Sequence, residues 1–583
     1  MPTQSEKYTA DCLPENLIHH IFSFLTSQVD FDTVSLLNKH WYAADGSYRR
    51  SIKVRNCFAI SPRRLTRRFH SLTSVTLIGR PNVHGKNSKD IKWRFSAYQW
   101  IECLATSFGG LQVLKLKRFV LSHRLMSLIS HQSFPDLRSL VFIGCQKIPS
   151  VGLGVILQNC RHLEELELRN CSGIRKLEPW LSSFPENCDS LLSLSFVDMN
   201  GEIDKLVLES LVSRYHNLKR LRFDVPLPLD VLTRILEAAP QLIELGLGSS
   251  MLFPSNESRS KFSDAVMNCT YVQSLSGAWC PDNLVLLNSL CSKLLFLDLT
   301  NMTQSPWGDG DLVFFIQRCH NLQCLWVLDS AGDKVLQAVG RTCKDLLKLK
   351  VIPRLYRHKL LSPVNANVTD AGLAAIALRC QKLQSVTYSC QCMSNAALVY
   401  FAQQNPDIRR FELAVNKQES KDGRTSQSFD EGFGAIFQYC KNLIHLSICN
   451  AHVTDQVFFF AGMFGAQLKK LSVTFAGDSN VGIFYALNLC ANLTQLEIRG
   501  TPFGDATILA AAKKFNNLQY VWVGSCSGGV TVKGCKTLRE TCSTLSVDIM
   551  DATGKIEDDL ALDMEVQNLL IYHRLDETLE DQK

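Results

Sequence analysis

From residue 72 onward one apolar pattern recurs along the chain, Leu-x-x-Leu-x-Leu, with polar residues set between the apolar ones. It stands as Leu111, Leu114, Leu116; Leu163, Leu166, Leu168; Leu218, Leu221, Phe223; Leu294, Leu297, Leu299; Leu443, Leu446, Ile448; and Leu493, Leu496, Ile498. With other apolar residues admitted, 18 first anchors fall at 72, 111, 137, 163, 191, 218, 242, 272, 294, 322, 346, 383, 408, 443, 468, 493, 518 and 545, usually 22 to 30 residues apart. Alternation over so short a run predicts a strand, because successive side chains point to opposite faces. Between strands the period changes. In the stretch Thr369 to Cys380 a capping threonine precedes Leu373, Ile376, Ala377 and Cys380, which share one face of a helix.

A strand, a turn and a returning outer helix at this period make a leucine-rich repeat. The fold class is therefore α/β, a solenoid of about 18 repeats, ring or horseshoe, over residues 53–550. Ten cysteines (Cys160, Cys188, Cys269, Cys291, Cys319, Cys343, Cys380, Cys440, Cys490, Cys542) lie three residues before an anchor, where a small side chain packs inward at the crowded end of the outer helix. The remaining cysteines read as buried thiols too. Three intervals, 72 to 111, 346 to 383 and 408 to 443, exceed the period at 35 to 39 residues. The packed strand and helix cannot absorb the surplus, so loops are expected near 78–97, 352–367 and 415–430, and three loops on one rim favour a binding surface.

Composition adds limits more than chemistry. Of 583 residues, 46% are hydrophobic and 20% charged, enough for a long array and too apolar for a disordered chain. Apolar runs such as Val457 to Ala466 fall short of the ~20 residues of a membrane helix. The N-terminus carries no secretory signal, so an intracellular protein with no membrane partner is expected. No metal is expected, because the 22 cysteines form no CxxC pair with a second pair at finger spacing, Cys390 and Cys392 being the nearest cluster. The sequence also has no GxxxxGK[ST], GxSxG, HExxH or GxGxxG, and no acid, base and nucleophile cluster can be argued, so no catalytic residue is expected. The net charge of +7 divides into about +10 over residues 1–120 and about −7 over an acidic cap and tail at 551–583. A basic region so diluted by apolar residues is a poor nucleic-acid footprint, and no nucleic-acid partner is expected.

Residues 1–52 lack the repeat. They contain Leu13-Pro14-Glu15, an apolar stripe of Leu17, Ile18, Ile21, Phe22 and Leu25, and a second helical stretch from Val34 through Leu37 to Trp41. A helical cap for the solenoid would need similar residues. The Leu-Pro-Glu opening, the stripe and the Asn38-Lys39-x-Trp41 ending resemble an F-box. That resemblance implies docking on the Skp adaptor, and through it on the cullin, of an SCF-type ubiquitin ligase. Leu13, Pro14, Glu15, Leu17, Ile18, Ile21, Phe22, Val34, Leu37 and Trp41 would form the adaptor-binding set. The repeats would present a degron-bearing substrate, and the work would be proximity.

The order of features is more specific. An F-box, Cys-containing repeats, three long loops and the strings Leu325-Trp-Val-Leu-Asp329, Cys343-Lys-Asp-Leu346, Asn395-Ala-Ala-Leu398, Gly432-Phe-Gly-Ala-Ile436, Phe475-Ala-Gly-Asp-Ser479 and Pro502-Phe-Gly-Asp505 resemble the plant auxin-receptor F-box proteins, and more distantly the jasmonate receptor. The resemblance implies inositol hexakisphosphate in a basic centre, auxin above it, and the degron of a transcriptional repressor closing over the hormone in the nucleus, with the cytoplasm also open. Strand alternation sends Arg410, Glu412 and Ala414; His445, Ser447 and Cys449; Lys470, Ser472 and Thr474; and Gln495, Glu497 and Arg499 to the concave face.

By family pattern, Asn82, Val83, Ser389, Arg410, Glu412, Ser447, Ser472 and Glu497 fall in the ligand pocket. Lys117, Arg118, Lys350, Arg410 and His445 fall in the phosphate site. Glu412 stands where the family carries the arginine that grips the hormone carboxylate, and one carboxylate facing another is repulsive. Asn82-Val83 and Ser389 replace pocket aromatics, while Ile78, His445, Thr494, Gln495 and Gln519 stand at basic positions of the phosphate site. Too few cations converge there to hold a dense polyphosphate tightly by the usual network, since each lost charge-assisted contact costs ~2 to 3 kcal/mol, while the resemblance keeps inositol hexakisphosphate open as a cofactor. Glu412 could equally form a structural ion pair with Arg410 or Arg499. Three readings follow: an SCF substrate-recognition subunit with a degenerate auxin pocket, an auxin co-receptor with an altered one, or a ligase-independent repeat scaffold.

Overall fold

The computed structural model describes residues 13–550 except 26–27, 55–56, 58–60, 80–96, 131–132, 175–179, 187–188, 198, 200–203, 248–254, 278–283, 301–309, 354–367, 416–427, 513–517, 519, 525–530, 532–533, 535–536 and 539–545. Most of each expected long loop, and the acidic 551–583, lie outside the described residues. The chain divides into two compact units, 1–225 with 234–242, and 226–233 with 243–583.

In the first unit, strands Ser51–Val54, Ser74–Ile78, Val113–Lys117, Ser139–Ile143, Glu165–Arg169, Ser193–Val197 and Arg220–Phe223 pair in chain order, each parallel to the next. In the second, strands Glu244–Leu247, Ser274–Gly277, Phe296–Asp298, Cys324–Leu328, Lys348–Ile352, Ser385–Cys390, Arg410–Val415, His445–Cys449, Lys470–Thr474, Gln495–Arg499, Tyr520–Gly524 and Ser546–Met550 do the same. Parallel neighbours need a crossover between them, and the outer helices supply it. Every anchor of the repeat pattern is followed by one of these strands. Strand Ser51–Val54 has no anchor of its own, so the sequence boundary at 52 falls inside a strand that pairs with Ser74–Ile78.

The anchors form the interior. Leu114, Leu116, Leu166, Leu168, Leu325, Leu446 and Leu496 are buried between strand and helix, where each stabilises by about 1.5–3 kcal/mol. Cysteines close the C-terminal ends of the outer helices. The thiol of Cys343 donates to the Cys319 carbonyl at 3.3 Å and that of Cys380 to the Cys343 carbonyl at 3.3 Å, so neighbouring repeats are tied through a small inward group. All described cysteines are buried except Cys103 and Cys392.

A testable consequence follows from their burial. It pushes the thiols of Cys343, Cys380, Cys440 and Cys490 from an ordinary 9.0 up to about 12. The unfolded thiols therefore ionise first. The stability they contribute is whole below pH 9.0 and is lost as pH rises towards about 12. The melting temperature should fall across that window. In the native protein near neutral pH, a maleimide should label Cys392, then Cys103, ahead of the other described cysteines, as peptide mapping would report.

A second ladder runs along the helix N-termini of the second unit. The Asp333 carboxylate accepts from the Thr369 amide at 2.9 Å and hydroxyl at 2.6 Å, and Thr369 in turn caps helix Asp370–Arg379 through the Ala371 amide. Asp430 holds Thr454 in the same way, Asp505 holds Thr531, and Asp455 holds Ser479. Each carboxylate sits at a helix start, where the unsatisfied amides favour negative charge.

At the N-terminus, helices Glu15–Phe22, Gln28–Val34 and Lys39–Tyr48 pack around Ile18, Phe22, Trp41 and Ala44, with Leu13, Leu25, Phe31, Val34 and Tyr48 against them. The helix expected from Val34 to Trp41 is instead broken. One helix ends at Val34, and Asn38 caps the next by accepting from the Trp41 amide at 2.9 Å. Pro14 lies just before the first helix and not within its first turn.

The module is joined to the first repeat by buried charge. Asp45 accepts from Arg49 Nε at 2.7 Å and Nη2 at 3.0 Å, and from Arg68 Nη2 at 2.9 Å, while Arg49 also reaches Asp32 at 2.7 Å. Gly46 permits the approach, since a Cβ there would lie 2.4 Å from the Arg68 carbonyl oxygen.

Candidate functional site

Strand register in the second unit assembles the candidate pocket into rows. Arg410, His445, Lys470 and Gln495 align across four neighbouring strands. Glu412, Ser447, Ser472 and Glu497 form the next row, and Ala414, Cys449, Thr474 and Arg499 the third. Alternation puts all three rows on the face opposite the anchors. The row arithmetic read from the sequence is thus realised for every described pocket residue, Ser389 included, which stands six residues beyond the 383 anchor and pairs with Ala414 of the third row. Asn82 and Val83 lie outside the described residues.

The middle row is buried, with Glu412 only 2% exposed. Its Oε2 accepts from the Thr387 hydroxyl at 2.9 Å, and its Oε1 lies 3.4 Å from His445 Nε2. Of the alternatives open for Glu412, an ion pair with Arg410 or Arg499 is not the contact seen here. Thr387 sits directly across from Glu412 in register. It is four residues beyond the 383 anchor, so the same arithmetic could have found it. At the far end of the row, Lys470 Nζ holds Glu497 Oε1 at 2.8 Å. Between the two carboxylates, the Ser447 hydroxyl meets the Cys449 thiol at 3.8 Å, and the Ser472 hydroxyl has no hydrogen-bond partner among the described residues. Burial pushes the Cys449 thiol up to about 11 and lowers Arg499 from its ordinary value. Ser389 is tied at its side, donating to Asp329 Oδ2 at 3.2 Å.

The cations assigned to the phosphate site are distributed. Lys117, buried, ends strand Val113–Lys117 in the first unit, and Arg118 follows it at positive φ. Lys350, Arg410 and His445 belong to the second unit. There Lys350 Nζ stands 4.3 Å over the Trp326 ring, and His445 and Lys470 each face a glutamate. In the second unit, the buried carboxylates Glu412 and Glu497 stand among these bases and make the face one of mixed charge.

The N-terminal module offers a different surface. Leu17, Ile21 and Leu37 are exposed, the first at 47%, and so are Phe24, Leu36 and Tyr42, which the sequence reading did not single out. Ile18, Phe22 and Trp41 are interior, where they hold the bundle together. Leu13 and Val34 pack half-buried against that interior, and Glu15 accepts from the Ser47 hydroxyl at 3.0 Å. A stripe at helical spacing marks an apolar side, but only packing decides which half turns inward.

No family model matches the chain. It is 38% identical to a transport inhibitor response 1-like protein of Oryza sativa subsp. japonica, over 96% of each chain. It is 37% identical to GRR1-like protein 1 of Arabidopsis thaliana, over 92% of this chain and 91% of that one. Coronatine-insensitive protein 1 of Arabidopsis thaliana is more distant, at 24% over 87% of this chain and 85% of that one. Likeness of this degree along nearly the whole length, on a repeat array preceded by an F-box-like bundle, places the chain in the transport-inhibitor-response family of F-box leucine-rich-repeat proteins, as a divergent member.

Proposed function

We propose that this chain selects its substrate for ubiquitination without gripping an auxin carboxylate. As an F-box leucine-rich-repeat protein of this family it is a substrate-recognition subunit of an SCF-type ubiquitin ligase. Its contribution is proximity: holding a target lysine near a charged conjugating enzyme turns a bimolecular encounter into a local one. The observation that carries the reading is Glu412, buried and hydrogen-bonded to Thr387 at the centre of the pocket row. Two like charges ~4 Å apart repel by about 4 kcal/mol at an effective dielectric of ~20, so a hormone carboxylate placed there would lose about a thousandfold in affinity. Inositol hexakisphosphate does not fit the described cations of this face, because Glu412 and Glu497 stand among them. A repressor-like substrate and a nuclear site of action follow the family and belong to the same proposal. Ser447, Ser472 and Glu497 on one row support the second reading, an auxin co-receptor with an altered pocket.

The ligase assembly is tested by co-expressing the full chain with a Skp adaptor and cullin. A stoichiometric complex is expected. Failure to form one with Leu17 and Ile21 intact would leave only the scaffold reading.

A further inference from the structure

We propose that the strand face around Glu412 and Ser472 binds a cationic N–H donor, an ammonium or guanidinium group, carried by a Lys or Arg side chain of a protein substrate or by a small amine. The inference rests on the reading above for placing recognition on this face, and it names the chemistry the face accepts.

In the row Glu412, Ser447, Ser472, Glu497 every side chain ends in oxygen, and register sets neighbours about 4.8 Å apart. All four are buried. Buried polar atoms are nearly always satisfied, yet Glu412 Oε1 accepts no hydrogen bond among the described residues, and the Ser472 hydroxyl, 1% exposed, has none either. A carboxylate oxygen can only accept, so the group that completes it must donate. A buried carboxylate also needs positive charge nearby. At the other end of the row the chain provides that solution itself, with Lys470 Nζ on Glu497 at 2.8 Å. At Glu412 the hydrogen bond comes from a neutral threonine, with His445 at 3.4 Å. The other cations of the face, Lys350, Arg410 and Arg499, have interactions of their own. An ammonium or guanidinium lying between Glu412 and Ser472 would satisfy both, as the planar guanidinium fork does for carboxylates generally.

The full chain in complex with the Skp adaptor is panned against a random-peptide display library, and in parallel its melting temperature is followed with tryptamine and with indole-3-acetate at millimolar concentration. The wild type should enrich peptides with a fixed Lys or Arg, or be stabilised by tryptamine alone. The first result assigns the cation to a protein side chain and the second to a small amine. Glu412→Gln should lose either preference by at least about tenfold, equivalent to ~1.4 kcal/mol. Ser472→Ala should weaken it while leaving the melting temperature unchanged or higher, since its hydroxyl has no bond to lose. No cation preference in either arm, or one that persists in Glu412→Gln, overturns the proposal. Intact adaptor binding in those samples would show that the ligase reading survives it.

Discussion

Replacing Asp45 with alanine is expected to lower stability by about 3–5 kcal/mol, the cost of leaving a buried charge uncompensated. The Asp45 carboxylate is fully enclosed and receives two bonds from Arg49 and one from Arg68. Arg49 is itself buried, so without Asp45 its carboxylate partner among the described residues is the more exposed Asp32. Because Arg68 ends helix Pro62–Arg68, the loss should reach into the first repeat as well as the N-terminal bundle. Denaturant unfolding would show a lower midpoint, and hydrogen exchange would show protection lost jointly in helices Lys39–Tyr48 and Pro62–Arg68. A change under about 1 kcal/mol would mean that the pair behaves as a surface salt bridge.

A double substitution of Leu17 and Ile21 by aspartate is expected to abolish capture of the Skp adaptor, by at least about a hundredfold, or ~2.7 kcal/mol. Both side chains are exposed on the first helix, so the melting temperature should hold. Ile18→Ala is the contrasting case. Ile18 is wholly buried, and its truncation should cost about 2–5 kcal/mol of folding stability. Adaptor binding measured by calorimetry on folded protein separates the two. If Leu17 and Ile21 prove dispensable while folding is intact, the docking surface lies elsewhere.

The strands were legible because the anchor pattern carries its own register: Leu443, Leu446 and Ile448 fix both the strand and the face that His445, Ser447 and Cys449 take. The cysteine positions were legible for the same reason. The helix-start ladder was not, because the carboxylate of Asp333 and the cap of Thr369 lie a repeat apart, and a cap is read from neighbouring residues. The break at Asn38 was missed where an apolar stripe ran through a capping residue. The bond from Thr387 to Glu412 was not legible because Arg410 and Arg499 offered obvious charge, while the bond went to the residue directly across the ladder. Short-range pattern locates a residue on a face, but which neighbour it bonds depends on side-chain reach.

The most direct test of the account is a pulldown of an auxin-type repressor degron by the purified Skp-adaptor complex, with and without auxin, beside Glu412→Arg. The expected result is no auxin-dependent capture by the wild type. Capture by the wild type only when auxin is present would contradict the account, and would mean that a carboxylate is accommodated beside Glu412.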